Sequence, residues 1–179
     1  MKITKAKIAF FIIIDVIFLI VLSYFIPVSH KTFFDFEDGI PQTILAEYRQ
    51  FANETAYMRS IEVNGKTWHY KVAGKGRPLL LLHGMGGESD FWWQQFQHYA
   101  GDFTVIAPTY PEADSLTELA DGVLAILDHE KTDRTAVMGT SLGGYLTQYL
   151  LSVAPQRFER AAFLNTFPPN DILNKKNRW

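Results

Sequence analysis

The chain contains no cysteine. Disulfides, thiolate metal sites and cysteine nucleophiles are therefore excluded, although the compartment is not fixed by that absence. No strongly basic stretch is present and the net charge is −2, which argues against nucleic acid as the main partner. Internal repeats and low-complexity segments are absent. No cluster of His, Asp or Glu has metal-ligand spacing, and no cofactor loop is visible, so neither a metal nor a cofactor is expected. His129-Glu130 and His98-Tyr99 read as solvated helix positions. Histidine is scarce in one further respect: His30, His69, His83, His98 and His129 all precede residue 141, and Asp171 is the only carboxylate beyond Arg160.

What is present begins with a long apolar run. Lys2, Lys5 and Lys7 precede an apolar stretch from Ile8 to Ile26, broken only by Asp15 and Ser23. The run is about the length a helix needs to cross a bilayer. It reads as a signal anchor over residues 1–27, with a cleaved signal peptide and a buried helix as alternatives. Lysines before the run, and Lys31 with Asp35, Glu37 and Asp38 after it, predict an N-terminus in the cytoplasm and the remainder outside. Residues 28–57 read as a connector, in which Ile44–Phe51 has the spacing of a short amphipathic helix.

From Met58 the pattern becomes regular. Ile61 and Val63 alternate with polar neighbours, Asn64-Gly65 marks a tight hairpin, and Thr67–Val72 is the return strand. Leu79–Leu82 is a continuous apolar run, as expected of a strand covered on both faces. It ends in His83-Gly84-Met85-Gly86-Gly87. A helix with Trp92, Phe96 and Tyr99 on one face follows, then a strand over Phe103–Ala107. Leu116, Leu119, Ala120, Val123, Leu124 and Leu127 form an amphipathic helix capped by Ser115 or Asp114. A last apolar strand is expected at Arg160–Asn165. A hairpin followed by strand–helix alternation predicts an α/β protein with a mostly parallel sheet over residues 58–179.

Between those elements, Gly139-Thr140-Ser141-Leu142-Gly143 matches G-x-S-x-G. Ala136-Val137-Met138 precedes it. Leu142, Tyr145, Leu146, Tyr149, Leu150 and Val153 follow at helical spacing. Strand, sharp turn and helix is the context of a nucleophile elbow, which pushes the serine hydroxyl into the open at a helix N-terminus. Small residues at 139 and 143 let the backbone close up around it.

Together these residues resemble the α/β-hydrolase superfamily over roughly Met58 to Thr166. His83–Gly87 is similar to its oxyanion-loop motif after the third strand, and Gly139–Gly143 to its nucleophile elbow after the fifth. Leu127-Asp128-His129, the Gly-x-Ser-Leu-Gly-Gly block and Asn165-Thr166-Phe167 resemble maspardin-type members more closely. The resemblance implies that Ser141 attacks an acyl carbon, that the backbone N–H groups of Leu142 and Met85 hold the oxyanion, and that His83, Gly84 and Gly86 support that loop. The anchor and its aromatic connector make a small hydrophobic or ester substrate the expected one, although no residue pattern identifies it.

The sequence departs from the family in two places. Pro108-Thr109-Tyr110-Pro111 stands where a glycine-rich turn is usual. The family's acid and histidine follow the serine, and here no histidine does. The chain therefore reads as the N-terminal part of the fold, incomplete at the C-terminus. A non-catalytic binding protein, or a chain completed by a second subunit, are the alternatives. Neither oligomeric state nor substrate identity is legible.

Overall fold

A computed structural model describes residues 14–19, 21–22 and 39–169. The chain divides into two compact units, residues 1–45 and 46–179. In the first, residues 14–19 and 21–22 are helical and exposed. The remainder of the expected anchor, together with Phe33, Phe34 and Phe36 of the connector, lies outside the described residues. Among the described residues no helix is long and apolar enough to cross a membrane.

The connector helix, α1, spans Gln42–Ala52. The second unit carries one six-stranded sheet. Its strands are β1 (Met58–Val63), β2 (Lys66–Ala73), β3 (Arg77–Leu82), β4 (Phe103–Thr109), β5 (Thr135–Thr140) and β6 (Phe158–Leu164). Their spatial order is β1-β2-β4-β3-β5-β6. β1 and β2 pair antiparallel as the predicted hairpin, β2 pairs antiparallel with β4, and the β4-β3-β5-β6 portion is parallel. The connections are helices α2 (Trp93–Tyr99), α3 (Leu116–His129) and α4 (Leu142–Val153).

Each face of the sheet has its own core. On one face Leu80, Leu82, Ile106 and Val137 pack with Trp68, Tyr70 and the apolar stripes of α3 and α4. On the other, Leu79, Leu81, Val105 and Ala107 pack with Trp92, Phe96 and Phe51. This division explains the unbroken run Leu79–Leu82: β3 is central, so both sets of alternating side chains are buried. The connector aromatic Phe51 belongs to this core, with ring contacts to Tyr57 and Phe96.

Several expectations are sharpened or corrected. Ser115, rather than Asp114, caps α3, its Oγ accepting from the Glu118 N–H at 3.2 Å. The last strand starts two residues earlier than predicted and ends at Leu164, because Asn165 turns into the left-handed region at φ 45°. Glu130 is not a solvated helix position: its carboxylate is only 9% exposed, accepts from the Tyr70 hydroxyl at 2.7 Å and pairs with Arg59. Tyr70 comes from a distant strand, so no local spacing announced it.

α3 reaches this sheet through a close approach. A Cβ at Gly122 would lie 1.9 Å from the ring of Trp68, which is 1% exposed and has no room to retreat. Alanine is the better helix former by about 1 kcal/mol, but overpacking costs about 1–3 kcal/mol or more. Gly122→Ala is expected to lower the melting temperature. Gly101→Ala, where the nearest atom would be 3.7 Å away, is expected to leave it nearly unchanged. Parallel thermal melts check the pair, and a neutral Gly122→Ala would contradict the packing described.

Candidate active site

The β5–α4 junction is a tight turn centred on Ser141. Ser141 adopts φ 50° and ψ −117°, a conformation non-glycine residues rarely hold. Its surroundings over-determine it. The Ser141 N–H donates to the Leu164 carbonyl at 3.1 Å, and its own carbonyl accepts from the Tyr145 N–H at 3.0 Å and the Thr166 hydroxyl at 2.8 Å. A Cβ at Gly139 would meet the Gly143 carbonyl oxygen at 2.3 Å, and one at Gly143 would meet the Leu82 carbonyl oxygen at 2.2 Å. Hence α4 can begin directly above β3 and β5 only with glycine at both positions. Thr147 fastens the same turn, its hydroxyl donating to the Gly143 carbonyl at 2.7 Å.

The His83–Gly87 loop lies beside this turn. A Cβ at Gly84 would come 3.2 Å from the Ser141 Cβ, so the two motifs are in contact across the top of the sheet. Within the loop, the Gly87 N–H donates to the Gly84 carbonyl at 3.1 Å, and Gly86 turns through φ 69°. Met85 is exposed, and no described residue accepts from its N–H. Leu142 is the first residue of α4, so its N–H has no partner within the helix. The Leu142 amide stands at the N-terminal end of α4, where the helix dipole favours negative charge, and Met85 follows Gly84, which packs against Ser141.

His83 is buried at the root of the loop. Its Nδ1 lies 2.7 Å from the Gly84 carbonyl, which can only accept, so Nδ1 carries the proton. Nε2 then accepts from the Tyr110 N–H at 3.3 Å. The Tyr110 ring stacks on the imidazole at 3.9 Å, and its hydroxyl donates to the His83 carbonyl at 3.2 Å. Burial pushes the imidazole below its ordinary range, against a smaller opposing effect of the Gly84 carbonyl. Burial also pushes the Tyr110 phenol up, so it remains a donor. Both nitrogens of His83 are thus occupied in holding the loop.

The remaining described histidines are elsewhere: His69 on β2, His98 on α2, and His129 at the end of α3, where its Nδ1 lies 2.7 Å from the Tyr70 hydroxyl. His30 and Asp171 lie outside the described residues. No described side chain makes a hydrogen bond with Ser141 Oγ. Among the described residues no group of three or more His, Asp or Glu is placed to hold a metal ion.

Sequence reasoning missed Tyr110, Thr147 and Thr166. The signal for Tyr110 was the substitution of Pro108-Thr109-Tyr110-Pro111 for a glycine-rich turn. Thr166 fills the space over Gly144, where a Cβ would lie 2.6 Å from it. The Gly-Gly pair at 143–144 was the visible half of that contact.

A sequence family described as "alpha/beta hydrolase fold" matches residues 77–178. Maspardin from Danio rerio is 28% identical over 137 residues, covering 72% of this chain and 44% of that protein. The (E)-2-((N-methylformamido)methylene)succinate hydrolase of Acinetobacter baylyi is 27% identical over 111 residues, covering 57% of this chain and 42% of that enzyme. The solved epoxide hydrolase CorEH is 29% identical with a TM-score of 0.59, covering 62% of this chain and 42% of that structure. The chain spans less than half the length of these relatives.

The proton on His83 supplies a pH test. An unfolded histidine charges near pH 6.5, whereas burial makes the folded protein resist that charge. The stability it contributes is full above that value and is lost as pH falls through the lower folded value. In ring-nitrogen NMR, His83 is expected to be the Nδ1-protonated neutral tautomer at neutral pH and to titrate below 6.5. A His83→Asn variant is expected to lose less melting temperature than the parent on acidification through that window. Titration of His83 at or above the ordinary value would refute the closed arrangement.

Proposed function

Because the chain belongs to the alpha/beta hydrolase family, we propose that it carries the nucleophile and oxyanion hole of a serine hydrolase acting on an ester-like acyl substrate. One observation carries this reading: Ser141 is held at φ 50° at the head of α4, with the Gly84 segment of the neighbouring loop packed against it. Fold alone does not select the reaction, since a neighbour with the same frame is by name an epoxide hydrolase. The serine does, because a hydroxyl at that position forms an acyl-enzyme with a carbonyl substrate. The N–H groups of Leu142 and Met85 are the donors proposed to receive the oxyanion. Loss of one such donor costs about 3 kcal/mol in hydrolases of this type. His83, braced by Tyr110, is a positioning residue for the loop rather than the base.

No described histidine hydrogen-bonds to Ser141 Oγ, and this favours a second reading, a binding protein of the same fold without turnover. Fluorophosphonate labelling separates the two. Without a base, a serine site retains only about 10³–10⁴-fold over water. The 179-residue chain is therefore expected to label slowly, and Ser141→Ala to abolish what labelling there is. Complete absence of labelling, with the fold intact, selects the binding protein. Labelling as fast as an ordinary esterase means that His83 or a second copy supplies the base.

The same proposal places the hydrolase domain at a membrane, through residues 8–26. Ile14, Phe18 and Leu22 are 43%, 62% and 49% exposed in the described part of that run, and the flanking charges set an N-in orientation. Protease added to intact cells is expected to reach the chain beyond Lys31. Protection until lysis would reverse the orientation, and release of a shorter soluble form would indicate a cleaved signal peptide.

A further inference from the structure

A cavity of about 280 Å³ adjoins the His83–Gly87 loop and the head of α4. Met85 and Leu142, the residues whose amides face the proposed oxyanion, both line it. A carbonyl held by those amides therefore directs one substituent into this space. The opposite wall is apolar: Pro111, Ala113, Leu116 and Leu119. A dry cavity of about 150 Å³ accommodates benzene, so this one suits an apolar group of roughly ten heavy atoms.

Its charge is one-sided. His83 lines the cavity but is kept neutral by burial and by the Tyr110 N–H on Nε2. Among the described lining residues, Glu112 is the only carboxylate and His83 the only basic residue. The nearby cation, Lys66, is already engaged: its ammonium donates to the Glu112 carbonyl at 2.8 Å and pairs with Glu118. Asp114 and Glu118 add further negative charge around that lysine. Among the described residues, no unpaired cation lines the cavity to receive a carboxylate.

We propose that this cavity takes the apolar substituent of a neutral or cationic carbonyl substrate, and that Glu112 disfavours substrates ending in a carboxylate there. The position of the carbonyl rests on the serine-hydrolase reading; the charge preference of the cavity stands on its own lining.

Non-hydrolysed probes test it with the full chain: the N-methylamides of hexanoic acid and of its ω-trimethylammonio derivative, and the mono-N-methylamide of adipic acid. Methyl NMR of Leu116, Leu119 and Leu142 reads binding. The neutral and cationic amides are expected to shift these signals, and the anionic one to bind about threefold to fivefold more weakly, the range an exposed charge supports. High salt should shrink the difference, and Glu112→Gln should remove it. Equal or tighter binding of the anionic probe to the parent chain overturns the proposal, as does failure of the neutral amide to shift those methyls. Charge-selective binding without fluorophosphonate labelling supports the cavity assignment while removing the hydrolase reading. Labelling at Ser141 without charge selectivity removes the cavity assignment alone.

Discussion

The structure depends on how closely the backbone of α4 approaches the strands beneath it. The Gly143 position touches the Leu82 carbonyl, and the Gly139 position touches Gly143, so helix and sheet meet with no side chain between them. That contact brings the first turn of α4 over the ends of β3 and β5 at once. It also fixes the left-handed φ of Ser141, because the chain has too little length to enter the helix any other way. A strain of this kind costs on the order of 1–3 kcal/mol. The bonds from Thr166, Tyr145 and Leu164 to the Ser141 backbone offset it with ordered partners on both sides of the turn. Because β3 and β5 are paired neighbours, both motifs rise from adjacent strand ends.

The second motif is rigid for a different reason. The His83–Gly87 loop has little apolar surface of its own, and Met85 and Gly86 are exposed. Its order comes from one buried imidazole. Three separate contacts from Tyr110, through N–H, hydroxyl and ring, converge on His83. A neutral imidazole satisfies one donor and one acceptor, and here each has its partner. A charged one would lose the acceptor that faces the Tyr110 N–H and would sit in a site that disfavours charge. The histidine is therefore a structural strut, with both ring nitrogens occupied in holding the loop.

Much of this was legible in the sequence where the signal is local. The hairpin at Asn64-Gly65, the buried run Leu79–Leu82, the Ser115 region as the start of α3 and the elbow around Ser141 all announce themselves within a few residues, and the described structure has each of them. What was not legible required partners from distant segments. Glu130 looked like a solvated helix end until Tyr70 and Arg59, far earlier in the chain, came to meet it. Tyr110 looked only like a departure from a glycine-rich turn, because stacking on His83 is a property of two strand ends and not of either sequence. The cavity beside Leu142 had no sequence signature, since its walls come from three separate stretches of chain.

On the serine-hydrolase proposal, the described residues carry the chemistry unevenly. Nucleophile presentation and oxyanion stabilisation are backbone properties: a φ angle, two amides and a helix terminus. They are built by the strand–turn–helix unit and its neighbouring loop, and they need no titrating side chain. Proton transfer is a side-chain property, and among the described residues no side chain is aimed at Ser141 Oγ. The two contributions are energetically separable, with general-base catalysis worth about 10²–10⁴-fold in rate and oxyanion stabilisation acting whether or not a base is present. A unit of this kind can retain affinity for carbonyl compounds after its turnover is gone. Binding and catalysis are therefore separable in the proposed site, since the first would rest on the backbone around Ser141, Leu142 and Met85 and the second on a side chain aimed at Ser141 Oγ.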